Sequence, residues 1–277
     1  MKKRLETIIP KIESAAGLYR QLLIHIGFFF DEPSRIYMKR HIRSRFEANR
    51  GQKSSIRIKK AFRDGHKALV TLKKAIAGDI RSCEKILELT YGRRGKRKHE
   101  LLHPFLTSLR TGAPIVAGLP RTRLPVLSLP FKALIESQMP GRTVFLEDNA
   151  ALDRRRYANL CWRKFAAIYL KILPPLPMKE IKLLEGLSRG EKVGSVGQSF
   201  RKLRSEPPSS TDPHYITPRF RRRLYQRLLM KCPSLSWGHN QGWTVKWSKD
   251  APSKNMRANL IHEEMFLSEK KNTKASS

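Results

Sequence analysis

One stretch has the residue types and spacing of a metal hydrolase: His99-Glu100-Leu101-Leu102-His103 fits H-E-x-x-H. On a helix the two imidazoles share a face and can hold zinc, with the Glu placed to polarise a metal-bound water. Pro104 follows at once and is expected to push His103 out of helical geometry. The next residues, PFLTSLRTG, supply no G-x-x-H, and no acidic residue is convincingly placed as a third ligand. An amphipathic turn packing Leu101, Leu102 and Phe105 accounts for the stretch better than a protease does. Just before it, YGRRGKRK (Tyr91 to Lys98) contains Gly-Lys but not the G-x-x-x-x-G-K-[ST] phosphate loop. Two readings stay open there. One is a solvated basic linker, and the other is an RNA or phosphate contact through Arg93, Arg94, Lys96, Arg97 and Lys98. Cys232-Pro233 has the form of a haem-regulatory thiolate, but a Cys-Pro after a helix is common. With no nucleophile–base pairing or Gly-rich cofactor loop in view, an enzyme is the weakest reading.

Charge narrows the partners. The 277 residues carry 57 Lys and Arg against 23 Asp and Glu, a formal +34, with a pI near 10.7. Such a field favours nucleic acid, anionic lipid or an acidic protein, and says nothing of fold. The three cysteines, Cys83, Cys161 and Cys232, are far apart and odd in number. They suggest neither a disulfide framework nor a CxxC knuckle, and a reducing compartment is the easiest reading. No apolar run approaches the ~20 residues that span a bilayer. The basic start, MKKRLETIIPKIESA, lacks a long h-region, so secretion is not expected. It is also short for a cleavable matrix presequence and carries two acidic residues.

The elements that would position any site begin at Ile12 to Gly51. Ala15, Leu18, Tyr19, Leu22, Leu23 and Ile26 lay one apolar stripe along a helix. Gly27 and Phe28-Phe29-Phe30 end it, and Asp31-Glu32-Pro33 starts a second helix. There Met38, Ile42 and Phe46 share a face, with Arg35, Lys39, Arg40, Arg43 and Arg45 on the others. Asn49-Arg50-Gly51 supplies a stop. A third helix is expected from about Ile58 to Thr90, with Gly65 and Gly78 marking a bend or a close helix approach. Three such helices form a small up-down-up bundle.

The motif Leu18-Tyr19-Arg20 in the first helix, followed by Tyr37, Arg40, Ile42, Arg43 and Phe46 in the second and a basic Arg50, resembles the LYR-motif family. The resemblance covers roughly the first third of the chain. The chain is also similar to a fungal branch of that family, in which a long basic extension follows the bundle with Tyr91-Gly92-Arg93-Arg94-Gly95-Lys96-Arg97 at the junction. The fold class implied is mainly α: a LYR-type three-helix bundle over 1–92, then a basic, Pro-interrupted helical extension over 93–277. Within the extension, helices are expected at about 151–173 and 218–231, with a flexible loop at about 186–213. A small hairpin over 237–247, with Trp243, Val245 and Trp247 on one side, precedes a loose tail from 249. Thr111 to Pro130 reads as irregular, extended chain. Leu224-Tyr225-Gln226 echoes the first motif but lacks its Arg, so a second module is not expected.

The resemblance implies a non-catalytic adaptor of the mitochondrial matrix that clasps acyl carrier protein and stabilises a partner complex, respiratory, iron–sulfur or mitoribosomal. By the same resemblance Tyr19, Arg20, Arg40, Arg43, Phe46 and Arg50 meet the carrier. Leu22, Leu23, Ile26, Ile42, Leu69, Leu72 and Ile76 line a tunnel for its acyl chain. No cofactor is expected on the chain itself, the acyl-phosphopantetheine arriving in trans on the carrier. From spacing alone those aliphatics are core. The alternative, from charge and the interleaved Trp and Tyr, is an RNA-binding mitoribosomal protein or assembly factor using the basic extension.

Overall fold

A computed structural model describes residues 14–106, 114–116, 122–145, 153–191, 216–239 and 242–249. It is mainly helical, with a small antiparallel hairpin near the C-terminus. The described residues fall into two compact units, 14–90 with 216–224, and 91–191 with 225–249.

The first unit is the N-terminal bundle. Helix α1 (Ala15–Gly27) is capped by Ser14, whose side chain accepts from the Gly17 N–H at 3.1 Å. Helix α2 (Glu32–Asn49) opens on Asp31, with Pro33 in its first turn. The buried Asp31 carboxylate accepts from both the Ser34 N–H at 2.9 Å and the Ser34 hydroxyl at 2.5 Å. Leu18, Leu22 and Ile26 of α1 are buried, and so are Met38 and Ile42 of α2. Helix α1 packs on both α2 and α3, and α2 also packs on α4.

The single long third helix expected from 58 to 90 is corrected to two. Helix α3 covers Ser55–Ile76 and α4 covers Ile80–Thr90. Gly78 sits at φ +88°, a conformation that costs other residues about 1 kcal/mol or more. Asp79 then caps α4 from outside, accepting the Ser82 N–H at 3.0 Å and the Ser82 hydroxyl at 2.5 Å. Across the break the Cys83 thiol reaches the Ala75 carbonyl at 3.2 Å. Burial pushes that thiol up to about 12, so it stays neutral and packs as a small apolar group.

The second unit holds α5 (Gly95–Leu106), α6 (Leu129–Gln138), α7 (Arg154–Lys171), α8 (Met178–Arg189) and the hairpin β1 (Pro233–Gly238) and β2 (Gly242–Trp247). Helix α9 (Pro218–Met230) is divided between the two units at Leu224. The core of the second unit gathers Leu102, Phe131, Leu134, Ile135, Val144, Ile168 and Ile172, with Leu235 and Val245 of the hairpin laid against it. Helices α6 and α8 are additions to the expected pattern. Helix α6 starts in the last two residues of the stretch read as irregular and runs beyond it, because Ser128 caps it and Pro130 fits its first turn. Helix α8 runs from Met178 into the expected loop and stops at Gly190 in the left-handed region. The rest of that loop, from 192, lies outside the described residues, as does the tail from 250. The hairpin starts at Pro233, four residues ahead of the expected Trp237.

Hydrogen bonds from Ser82 hold the Asp79 carboxyl below its ordinary 3.8. A depressed folded value means the cap contributes fully above about 3.8 and is lost as pH falls through the lower, folded value. Asp79→Ala should therefore cost about 1 kcal/mol at neutral pH. In thermal melts the gap from wild type should narrow as the solution is acidified; a gap that holds in acid would mean the side chain does not act as a charged cap.

Candidate functional site

The starting end of α1 meets the finishing end of α2. Tyr19 and Phe46 stand edge to face, ring centroids 5.0 Å apart and planes at 61°. On the other side of α1, Leu18 occupies the notch left by Gly65 of α3: a Cβ there would lie 2.7 Å from Leu18 Cδ2. The close approach anticipated at Gly65 is therefore real, while Gly78 marks the helix break. Both aromatic rings are only half-buried. Phe46 thus differs from the fully buried position its spacing suggested.

The apolar stripe of α3 opens along its length. Leu69 and Leu72 are 0% and 1% exposed, Gly65 and Phe62 are half-buried, and Ile58 is 37% exposed. Burial along α3 thus falls away from Leu69 and Leu72 toward Phe62 and Ile58. Arg20 lies next to Tyr19, and Arg43 and Arg50 lie one turn either side of Phe46 on α2. All three, with Arg40, are exposed and have no described ion-pair partner. Tyr37 does not join them. It is nine residues from Phe46, roughly 13 Å along the helix, and stacks on His41 with ring centroids 6.0 Å apart.

Of the aliphatics expected to line a tunnel, Leu22, Ile26, Ile42, Leu69 and Leu72 are buried, and Leu23 and Ile76 are half-buried. They belong to the packed interior of the bundle.

The basic run after the bundle is corrected. Tyr91, Gly92 and Arg93 are buried, and a helix begins at Gly95, so the run is no solvated linker. The Arg93 guanidinium donates to three carbonyls: Tyr91 at 3.0 Å, Pro174 at 2.8 Å and Lys231 at 2.6 Å. Arg97 pairs with Glu180 at 2.5 Å, and Lys98 donates to the Leu170 carbonyl at 2.6 Å. Three of the five residues offered as nucleic-acid contacts are thus spent on internal structure. Arg94 and Lys96 remain exposed, Lys96 beside Glu100 at 3.4 Å.

The helix also continues through Pro104, against expectation. Pro104 lies in the last turn, so its missing N–H removes only one bond, to Glu100. His99 and His103 therefore do sit four apart on one helix. Even so, His99 Nδ1 lies 2.7 Å from the Tyr169 hydroxyl, and burial raises the Tyr169 pKa. Among the described residues no three His, Cys, Asp or Glu side chains converge on a metal position. Nor is any described helix long and apolar enough to cross a membrane.

Sequence reasoning missed Arg93 as a strut, because a guanidinium inside a charge run looks like its exposed neighbours. The signal that could have found it is the flanking Tyr91-Gly92, an apolar–turn pair unsuited to a solvated linker.

The first unit brings together Tyr19 and Phe46 from two helices of a small bundle, with Arg20, Arg43 and Arg50 beside them. Residues 18–102 match the family model described as LYR motif-containing protein 2-like, which supports placing that segment in the LYR-motif family. No curated protein and no solved structure matches the chain significantly.

Arg93→Met should lower the stability of the second unit by about 3 kcal/mol or more, since it strands buried acceptors of charge-assisted bonds. Arg94→Gln and Lys96→Gln, on the surface, should stay within about 0.5 kcal/mol. Urea denaturation of the three variants gives the comparison, and equal effects would overturn the assignment of Arg93.

Proposed function

We propose that the chain is a non-catalytic adaptor or assembly factor whose bundle binds acylated acyl carrier protein in the mitochondrial matrix. The observation that carries this reading is the conjunction at one end of the bundle. Tyr19 and Phe46 meet edge to face and are half-buried, the bundle interior is packed with long aliphatics, and Arg20, Arg43 and Arg50 beside the aromatic pair are exposed. An acidic carrier helix suits the arginines, since a guanidinium can grip a carboxylate through two parallel hydrogen bonds. The acyl-phosphopantetheine arm, supplied in trans by the carrier, enters beside that pair. Each methylene that enters is worth about 0.8 kcal/mol, which offsets the cost of parting Leu22, Ile26, Ile42, Leu69 and Leu72. The match of residues 18–102 to a LYR-motif family model supports an adaptor in general. The carrier, the matrix location and a client that is respiratory, iron–sulfur or mitoribosomal belong to the proposal.

Two variants separate recognition from packing. Arg20→Ala should weaken carrier binding roughly 10- to 100-fold, the worth of one charge-assisted contact, without loss of helicity. That deficit should shrink in high salt, where screening has already weakened the pair. Phe46→Ala should cost about 2 kcal/mol of bundle stability, below the ~3–5 of a fully buried Phe, because the ring is half-exposed. Calorimetric titration with acylated carrier and thermal melts of each variant measure both quantities. Wild-type affinity in Arg20→Ala, or its unfolding, would remove Arg20 from the recognition surface. Protease-protected fractionation of mitochondria tests the compartment, and a wholly cytosolic pool would contradict it.

A further inference from the structure

We propose that the second unit binds single-stranded nucleic acid, stacking an unpaired base on the Trp237–Trp243 pair and holding phosphates with Lys182, Arg189 and Lys249 beside Trp247. This stands on different residues from the carrier reading and does not rest on it.

The hairpin register pairs Trp237 with Trp243, Leu235 with Val245 and Pro233 with Trp247. Alternation along a strand puts all three pairs on one face. The middle pair is laid against the core of the unit. The outer two lie at either end of it, with Trp243 and Trp247 about 13 Å apart along β2. At the turn end, the indoles meet at 5.2 Å between ring centroids and 60° between planes, and Trp237 is 57% exposed. A cross-strand Trp pair can serve only to close a hairpin. Here Trp243 is half-buried while Trp237 presents most of its indole to solvent, open to a further ring.

At the other end of β2 lies a groove of about 370 Å³ between α8 and the hairpin, lined by Met178, Ile181 and Trp247 on its apolar side. Lys182, Arg189 and Lys249 border it, against one carboxylate, Glu185, which accepts from the Ser248 hydroxyl at 2.6 Å. Arg189 also lies 3.6 Å from the exposed Glu191. Cations thus outnumber carboxylates around an aromatic wall, on a unit whose α7 adds exposed Arg154, Arg155, Arg156 and Arg163. Polyanions suit that charge. Of these, nucleic acid brings a flat π-face with every charged unit, and only an unpaired strand has base faces free to stack on an open indole.

The test is fluorescence anisotropy of labelled oligo(U), oligo(dT) and an RNA duplex with the full chain, at low and moderate salt. Both single strands should bind and quench tryptophan emission, and the duplex should bind more weakly. Trp237→Ala should lose about 10- to 100-fold in affinity with the salt slope unchanged, and Trp237→Phe should retain most of it. Lys182→Gln with Lys249→Gln, both exposed, should make the slope of log affinity on log salt shallower by about 1.4. Equal binding of duplex and single strands, or a double variant with an unchanged slope, would overturn the proposal. So would wild-type affinity in a folded Trp237→Ala. If Trp237→Ala does not fold, the lysine variant and the quenching still decide.

Discussion

Everything at the working end of the bundle depends on how closely α1 can approach its two neighbours. Leu18 fits against α3 only because Gly65 has no side chain, and one residue later Tyr19 meets Phe46 of α2 edge to face. The two contacts fix the rotation of α1. They turn Leu22 and Ile26 inward and leave Arg20 outward beside Tyr19. A larger residue at 65 would press on a terminal methyl of a buried leucine, which has little room to give. The break at Gly78 serves the same packing from the far side: it lets α4 turn and cover α2, where one unbroken helix would run straight past.

The +34 charge looks at first like a surface property, yet some of its carriers work inside. Arg93 gathers carbonyls from Tyr91, Pro174 and Lys231, three stretches far apart in sequence. Lys231 directly follows α9, where a helix end leaves carbonyls without intrahelical partners, and Pro174 lies in the non-helical stretch after α7. A fixed planar fork with five donors suits that task better than lysine's single ammonium. Arg97 with Glu180 and Lys98 with the Leu170 carbonyl extend the same use of cations along α5. Arg20, Arg43 and Arg50 of the bundle differ from these in being exposed.

Much of this was legible in the sequence, and the reasons are local. The limits of α1 and α2 follow from Gly27, Asp31 and Pro33, each of which acts within one turn of itself. The motif residues Tyr19 and Phe46 were readable because helical spacing and family pattern agree on them. The hairpin followed from alternation of Trp243, Val245 and Trp247. What was not legible depends on distant chain. Nothing near Pro104 says that it falls in a last turn, where its cost is small. Nothing near Arg93 names Pro174 or Lys231, 81 and 138 residues away. Helix α6 was hidden by Pro130, which reads as a breaker until Ser128 is seen to cap it. For Phe46 periodicity gives the direction of the side chain but not its depth, which depends on where the neighbouring helix ends.

The central claim is that the bundle admits a fatty chain beside the Tyr19–Phe46 pair. Its most direct test is the affinity of the full chain for acyl carrier protein bearing phosphopantetheine alone, then short, medium and long acyl groups. Affinity should climb with chain length, by up to about 0.8 kcal/mol for each methylene buried, and level off where Leu22, Ile26, Leu69 and Leu72 can part no further. Equal affinity across the series would contradict the account, leaving those residues a closed core and the carrier, if bound, held by charge alone.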